Sequence, residues 1–338
     1  MNAKRIAIIG CGAAARKYYL PEFKKFPDIS KNVISVDVNL DSAKYMAGEF
    51  GNTNFTSNYR EVLGEVSGVI ITVPPSLHYS IALEFLKNST HVLCEKPIAE
   101  TSSQVNDLNE EARKKNVKIL VNNTRRLFPS HKTVKDYIEG NRLGEIKSIR
   151  YFEANKFGWE SETPFYVYHK YSKQGVLLDL GSHVLDLICW WLGKKFNIVE
   201  YKDDSFGGPE SLCYLKGETE NCKIEVTLNR HLDLGNYFKI IGTQSQIIGS
   251  LNEWKSLNFV NLRNNSMKKI KLRSEVQNPP SLVKYIVENF VKILENNTIP
   301  LISANDVLSS IELIEECYRN RSRFNMPWYQ EVERLISD

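Results

Sequence analysis

No apolar stretch in these 338 residues approaches the ~20 residues that a helix needs to cross a bilayer, which argues against a membrane-spanning chain. Disulfide and zinc frameworks are missing as well. The six cysteines, Cys11, Cys94, Cys189, Cys213, Cys222 and Cys317, are scattered, without a CxxC pair or a Cys/His cluster at zinc spacing. Several sit in apolar runs, where a free thiol behaves as a small hydrophobe, and that usage fits a reducing compartment. The opening Met1-Asn2-Ala3-Lys4-Arg5 leads straight into a strand pattern, with no apolar core of a secretory signal, so the cytoplasm is the expected compartment. Excess charge of one sign is also scarce. The formal net charge is +4, and Lys114-Lys115, Lys194-Lys195 and Lys268-Lys269 read as solvated surface rather than the basic stripe of a nucleic-acid binder. Internal repeats, low-complexity tracts and long linkers are absent.

What is present is the balance of a globular protein, 42% hydrophobic and 25% charged, in a length that suits two domains. The first third alternates strand-like and helix-like segments. Arg5–Ile9 is a short apolar run, Val69–Val73 is β-rich and apolar as in a strand buried on both faces, and Val33–Val38, His91–Cys94 and Lys118–Asn122 are strand-like. Between them Ala13–Phe26, Asp41–Phe50, Leu77–Asn88 and Ser102–Asn116 have helical spacing. Strands buried on both faces and separated by helices predict a doubly wound parallel sheet.

After about residue 125 the pattern changes. His131–Gly140 and Leu180–Leu192 are expected helices, as are Leu282–Glu295 and Ala304–Arg319, the last with Ser303 as N-cap. The rest is strand-like: Ile146–Asn155, Ser211–Leu215, Cys222–Leu228, Tyr237–Ile241, Gln246–Leu251, Ser256–Asn261 and Lys268–Leu272. Turn residues separate these segments, as in an antiparallel sheet. The expected architecture is an α/β Rossmann domain over residues 1–124, followed by an α+β domain over residues 125–338 with a large, mostly antiparallel open sheet.

Strand one runs into Gly10-Cys11-Gly12-Ala13-Ala14-Ala15, a G-x-G-x-x-A turn between the first strand and the first helix. Gly10 would permit the tight turn, Gly12 the approach of a pyrophosphate, and Ala15 close helix–strand packing; the helix N-terminus would then face the phosphates. A plain strand-to-helix connection is the alternative. Asp37, about 20 residues on at the end of the second strand, stands where an acid accepts from a ribose 2′-hydroxyl and repels a 2′-phosphate, which favours NAD over NADP. The alternative there is a strand-ending turn. In Thr72-Val73-Pro74-Pro75-Ser76-Leu77-His78 a buried strand stops at two prolines, so Thr72 and Pro74 would line the crevice. His78 is either a cofactor contact or a surface helix histidine.

Two segments carry chemistry beyond the cofactor fold. Glu95-Lys96-Pro97 closes a buried strand at the crevice end. There a lysine can hydrogen-bond a reacting oxygen and stabilise negative charge; a surface Glu–Lys pair is the alternative. Asp179, His183 and Asp186 fall at i, i+4 and i+7 on an otherwise apolar helix, which would place all three on one face. A polar stripe on a buried helix is costly unless satisfied, and a histidine titrating near neutrality suits proton transfer. A core histidine bonded to backbone is the alternative. One histidine and two acids match no strong zinc spacing, so no metal is expected.

Taken together, Gly10-x-Gly12-x-x-Ala15, Glu95-Lys96-Pro97 and Asp179-x-Gly181-x-His183-x-x-Asp186 resemble the signature of the glucose–fructose oxidoreductase / inositol dehydrogenase (Gfo/Idh/MocA) family. Asn122-Asn123-Thr124-Arg125-Arg126-Leu127-Phe128-Pro129 is similar to that family's inter-domain junction. The resemblance implies an NAD(H)-dependent oxidoreductase that interconverts a hydroxyl and a ketone on a sugar, nucleotide-sugar or cyclic polyol. It implies that Lys96 polarises the reacting oxygen, that His183 is the general acid or base, and that Asp179 orients substrate or assists proton movement. It adds Ala13, Ala14, Glu95, Lys96 and Asn123 to the cofactor contacts, and implies a homo-dimer or homo-tetramer. Two other functions share this fold: a redox-assisted glycosidase that restores its NAD, and a non-catalytic dinucleotide-binding regulator. A sensor has no need of both Lys96 and His183.

On the substrate side, Phe157–Tyr171 is rich in aromatics with polar tips, so Trp159 and Tyr166 are expected ring contacts; packing on a sheet edge is the alternative. Arg125, Arg126, Lys156 and Lys170 are cations suited to a phosphate or nucleotide group, with Arg125 the expected substrate contact.

Overall fold

A computed structural model of the chain describes residues 5–158, 174–206 and 208–325. The expected substrate contacts Trp159 and Tyr166, together with Lys170, lie outside the described residues.

Six strands form the first sheet: β1 (Ile6–Ile9), β2 (Val33–Val36), β3 (Phe55–Thr56), β4 (Gly68–Ile71), β5 (His91–Glu95) and β6 (Ile119–Asn122). Their order is β3-β2-β1-β4-β5-β6, and all are parallel. Every residue of β1, β2, β4 and β6 is buried, as the apolar run Val69–Val73 anticipated for β4; Ser35 in β2 and Asn122 at the end of β6 are polar residues buried with the rest. Strand order reverses between β1 and β4, and a doubly wound sheet binds its ligands at the carboxyl ends flanking that point. The sequence sets the helix ends locally. Asn39 accepts from the amides of Asp41 and Ser42 to start helix Leu40–Glu49, and Thr101 with Gln104 closes a capping box on helix Ser102–Lys115.

The helix expected over Ala13–Phe26 is broken into a π turn, Ala15–Tyr19, and a short α turn, Leu20–Phe23. Pro21 has no N–H to give the carbonyl four residues back, so the regular ladder cannot run through it.

Nine strands form the second sheet: β7 (Ile146–Ala154), β8 (Asn197–Asp203), β9 (Leu212–Glu218), β10 (Lys223–Asn229), β11 (Gly235–Gly242), β12 (Ser245–Gly249), β13 (Ser256–Asn261), β14 (Met267–Lys271) and β15 (Ser322–Arg323). The order is β14-β13-β12-β11-β7-β10-β9-β8-β15. Pairing is antiparallel except for β10 with β7 and β15 with β8. The sequence reading missed β3, β8 and β15. β3 and β15 are only two residues long, and β8 interleaves Glu200, Lys202 and Asp203 with its apolar positions, so each reads as loop.

Helix Ser182–Leu192 packs against helices Pro129–Glu139 and Leu308–Arg319. Helix Val283–Asn296 returns to the first sheet: a Cβ on Gly68 would stand 2.6 Å from the Leu294 side chain, so glycine lets that helix lie directly on β4. Ser303, the expected N-cap, and Asp306 bond reciprocally, Oγ and amide of one to amide and carboxylate of the other. Among the described residues no helix is long and apolar enough to cross a membrane.

Candidate functional site

A cleft of about 920 Å³ opens at the carboxyl ends of β1, β2, β4 and β5 and runs to helix Ser182–Leu192. Its first wall is the glycine turn. Gly10 has φ +93°, and a Cβ there would lie 2.9 Å from the Thr72 carbonyl oxygen, so only glycine fits. A Cβ on Gly12 would meet nothing within 4 Å, so its bare backbone faces open cleft. Asp37 holds this turn in shape: one carboxylate oxygen accepts from the Cys11 amide at 2.7 Å and the other from the Asn39 amide at 2.8 Å. Thr72 Oγ1 donates to the Gly10 carbonyl at 2.6 Å. Ala13, Ala14 and Pro74 line the cleft. Ala15 is fully buried behind it, where its small size serves packing rather than contact.

His78 is neither a surface residue nor a free ring. It is buried, with Nδ1 2.6 Å from the Pro97 carbonyl and Nε2 2.7 Å from the Val73 carbonyl. It thereby ties the loop after β4 to the loop after β5. Burial holds its pKa down, against the two carbonyl contacts that favour the protonated ring.

The second wall carries the ionisable groups. β5 delivers Glu95 and Lys96 to the cleft, followed by a cis Lys96–Pro97 bond. Glu95 accepts from the Tyr19 hydroxyl at 2.8 Å and from the Asn122 amide at 2.7 Å. Burial raises its pKa more than these bonds and Lys96 lower it. Lys96 Nζ donates to Asp179 Oδ1 at 2.6 Å and to the Asp179 carbonyl at 3.0 Å. The other carboxylate oxygen of Asp179 takes Arg230. Burial would push Asp179 up, but the charges and hydrogen bonds of Lys96 and Arg230 outweigh it and hold the acid at about 2. Asp179 is therefore an ionised anchor between two cations.

His183 lines the same cleft. Its Nδ1 stands 2.6 Å from Asn123 Oδ1, so Nδ1 carries the proton and donates. Nε2 is left with its lone pair, and no hydrogen bond reaches it among the described residues. Burial first, then the positive charges of Lys96 and Arg125, push the imidazole well below its ordinary pKa of 6.5.

Asp186 does not join this face. It is buried and binds Arg126 bidentately at 2.6 and 2.8 Å. The expectation of one polar stripe assumed 3.6 residues per turn throughout. Leu177–Gly181 is instead a π turn, which carries more residues per rotation and moves Asp179 out of register with Asp186. Arg125 likewise is not a free phosphate ligand, because both terminal nitrogens bind Glu153, at 2.6 and 2.8 Å. It still lines the cleft as a closed ion pair with Glu153. Arg126 faces Asp186 instead of the cleft, and Lys156 lines it.

Sequence reasoning did not find Arg230, Glu153, Tyr19 or Asn122 as site members. Arg230 lies 51 residues from its partner Asp179, just beyond β10, and no local spacing signals a contact of that separation.

A parallel doubly wound sheet with a glycine turn, an acid ending β2 and a second α+β domain closing over the cleft defines a two-domain, dinucleotide-binding Rossmann protein. Residues 4–123 match the oxidoreductase family with NAD-binding Rossmann fold, and residues 131–247 match the GFO/IDH/MocA C-terminal domain; the chain belongs to the GFO/IDH/MocA oxidoreductase family. It is 30% identical over 206 residues to glucose-6-phosphate 3-dehydrogenase of Bacillus subtilis, covering 58% of this chain and 56% of that one. It is 26% identical over 204 residues to levoglucosan dehydrogenase of Pseudarthrobacter phenanthrenivorans, covering 57% and 52%. The chain thus spans little more than half the length of the curated relatives it matches. Among solved structures, KijD10, a 3-ketoreductase from Actinomadura kijaniata in complex with NADP and TDP-benzene, superposes with a TM-score of 0.82. That match has 18% identity and covers 96% of this chain and 100% of the other. At that identity the likeness establishes the fold.

Proposed function

We propose that the protein is an NAD(H)-dependent oxidoreductase that interconverts a hydroxyl and a ketone on a sugar, nucleotide-sugar or cyclic polyol. The observation that carries this reading is the meeting of Lys96, Asp179 and His183 in the cleft that Gly10, Gly12 and Asp37 also line. Relatives named as sugar dehydrogenases, including D-glucoside 3-dehydrogenase of Escherichia coli at 28% identity over 196 residues, support the substrate class.

The cleft suits a dinucleotide: the Gly12 backbone is bare toward it, the π turn after Ala14 starts beside it, and Asp37 lines it just past β2, where an acid would accept from a ribose hydroxyl. Cofactor contacts are assigned to Gly10, Gly12, Ala13, Ala14, Asp37, Thr72, Pro74, Glu95 and Lys96, all of which line the cleft; Asn123 is buried behind it and acts through His183. An anionic Asp37 favours NAD over NADP. When bound, the dinucleotide supplies the two-electron acceptor or donor.

The chain's own residues handle the oxygen and its proton. A lysine ammonium has three donors, of which Asp179 engages two through its carboxylate and carbonyl. The third is available to the substrate oxygen and stabilises negative charge there. Asp179, itself clamped by Arg230, fixes the direction of the Lys96 stem. His183 Nε2 removes the alcohol proton in oxidation and returns it in reduction. Asn123 keeps the ring in the tautomer that exposes that lone pair.

The reading includes a cytoplasmic enzyme that assembles as a homo-dimer or homo-tetramer. Its test is an NADH absorbance screen of free, phosphorylated and nucleotide-linked sugars, cyclitols and their keto forms. Reversible, stoichiometric NADH change with one such compound is the expected result. Glycoside cleavage without net NADH change, or no turnover with any compound, would remove it.

A further inference from the structure

Three successive backbone amides lead into the turn that bears Asp179, and all three end on one residue. Gly175 N–H donates to Glu210 Oε2 at 3.0 Å, Leu177 N–H to Glu210 Oε1 at 2.9 Å, and Val176 N–H to the Glu210 carbonyl at 2.8 Å. The first amides of a helical segment have no partner within it. No local side chain caps the turn Leu177–Gly181, so Glu210, more than 30 residues away in sequence, does the capping. A carboxylate at a helix N-terminus also meets the positive end of the helix dipole.

Glu210 is itself held from the far side. It is 1% exposed. Tyr318 Oη donates to Oε1 at 2.8 Å and Arg321 Nη2 to Oε2 at 3.0 Å, both from the C-terminal stretch around helix Leu308–Arg319. Arg321 also pairs with the fully buried Asp203 at 2.6 Å. The fit at Gly175 is tight, since a Cβ there would stand 1.9 Å from the Glu210 carbonyl oxygen. Asp179 N–H closes on the Gly175 carbonyl at 3.1 Å, so the position of Gly175 is passed directly to Asp179.

We propose that Glu210 is a positioning residue: it fixes Gly175–Leu177 so that the following turn holds Asp179 against Lys96 and presents His183 to the cleft. The inference rests on the catalytic reading of Lys96, Asp179 and His183. It adds to that site a residue that touches neither cofactor nor substrate, and it couples the site to the C-terminal helix.

The test compares Glu210→Gln, Arg321→Ala and wild type as full chains, with the compound that turns over best in the NADH screen. Misplacing reacting groups by about 1 Å costs on the order of 100-fold in rate. Glu210→Gln is expected to lose about 10-fold to 100-fold in kcat, with NADH affinity from fluorescence titration changed less than about twofold. A Glu210→Gln protein that folds and keeps wild-type kcat overturns the inference. So does a loss that tracks NADH affinity or soluble yield alone, because that is a structural role. If Glu210→Gln does not fold, Arg321→Ala carries the test, since its side chain is 27% exposed and can be truncated without a large void. A fall in kcat at constant NADH affinity supports the inference, and an unchanged kcat overturns it. Lys96→Ala and His183→Ala are measured alongside. Unchanged turnover in both removes the catalytic reading, whereas low turnover there with normal turnover in Glu210→Gln removes this inference alone.

Discussion

His183 and Asn123 face each other at 2.6 Å, ring Nδ1 to amide Oδ1, and three residues further along each element Asp186 meets Arg126. Helix Ser182–Leu192 is therefore docked on the turn after β6 by two polar pairs with matching spacing. One pair sets the tautomer of a cleft-facing base. The other is a buried ion pair that fixes the helix behind it.

Lys96 and His183 are expected to matter far more for turnover than for cofactor binding. Lys96→Ala and His183→Ala should each lower kcat by about 100-fold or more, the scale of a lost general acid–base or electrostatic group. NADH affinity by fluorescence titration should stay within a few-fold.

With His183 as the proposed base, its lowered pKa should set the pH dependence of alcohol oxidation. The base must be neutral, so the rate should rise with pH through a value below 6.5 and then level off. The Lys96 charge contributes to that lowering. Residual activity of Lys96→Met should therefore show its acid limb at higher pH than wild type. Initial rates between pH 4.5 and 8 at saturating substrate decide this, and a limb that moves down would contradict it.

Asp37 braces the Cys11 amide, and its proposed second role is to repel a 2′-phosphate. Asp37→Ala should shrink the preference for NAD over NADP and weaken NAD binding as well. Dissociation constants for both dinucleotides on both proteins measure this. Tighter binding of NADP than of NAD by the native protein would contradict the role given to Asp37.

Removing one member of the buried Arg126–Asp186 pair should cost far more than removing both. Asp186→Ala leaves a buried guanidinium with only the Asp306 carbonyl at 2.8 Å and the Asp306 carboxylate at 4.0 Å, a loss of about 3 kcal/mol, the lower end for a broken buried pair. Arg126→Met with Asp186→Leu should recover most of it. Urea unfolding midpoints of the two variants provide the comparison.

Acid should destabilise the fold well above the carboxylate range. His131 is buried and held at about 3, and His183 is held well below 6.5. Both folded-state values are depressed, so below pH 6.5 the unfolded chain takes up protons that the native one refuses. Each histidine then removes about 1.4 kcal/mol of stability per pH unit until its folded pKa is reached. Asp179 has the same sign in a lower window: its contribution is present above about 3.8 and is lost as pH falls toward about 2. Thermal melts at pH 7, 6 and 5 should show a falling midpoint, with a shallower fall in His131→Gln.

The sequence by itself determined the parallel sheet, the glycine turn and the candidacy of Lys96, Asp179 and His183 as polar residues on buried elements; that Lys96 and Asp179 meet across 83 residues is a fact of the folded chain. The first three depend on short-range features: apolar runs of strand length, a positive-φ glycine, polar residues on buried elements. Tertiary structure alone decided what those groups bond to. Arg230 reaches Asp179 across 51 residues, Glu153 neutralises Arg125 across 28, and Glu210 caps a turn more than 30 residues before it. The π turn at Leu177–Gly181 separated Asp186 from the face it was expected to share. Buried charges must find partners wherever the packed elements bring them, and that choice is made by the meeting of two sheets and their helices, not by spacing along the chain.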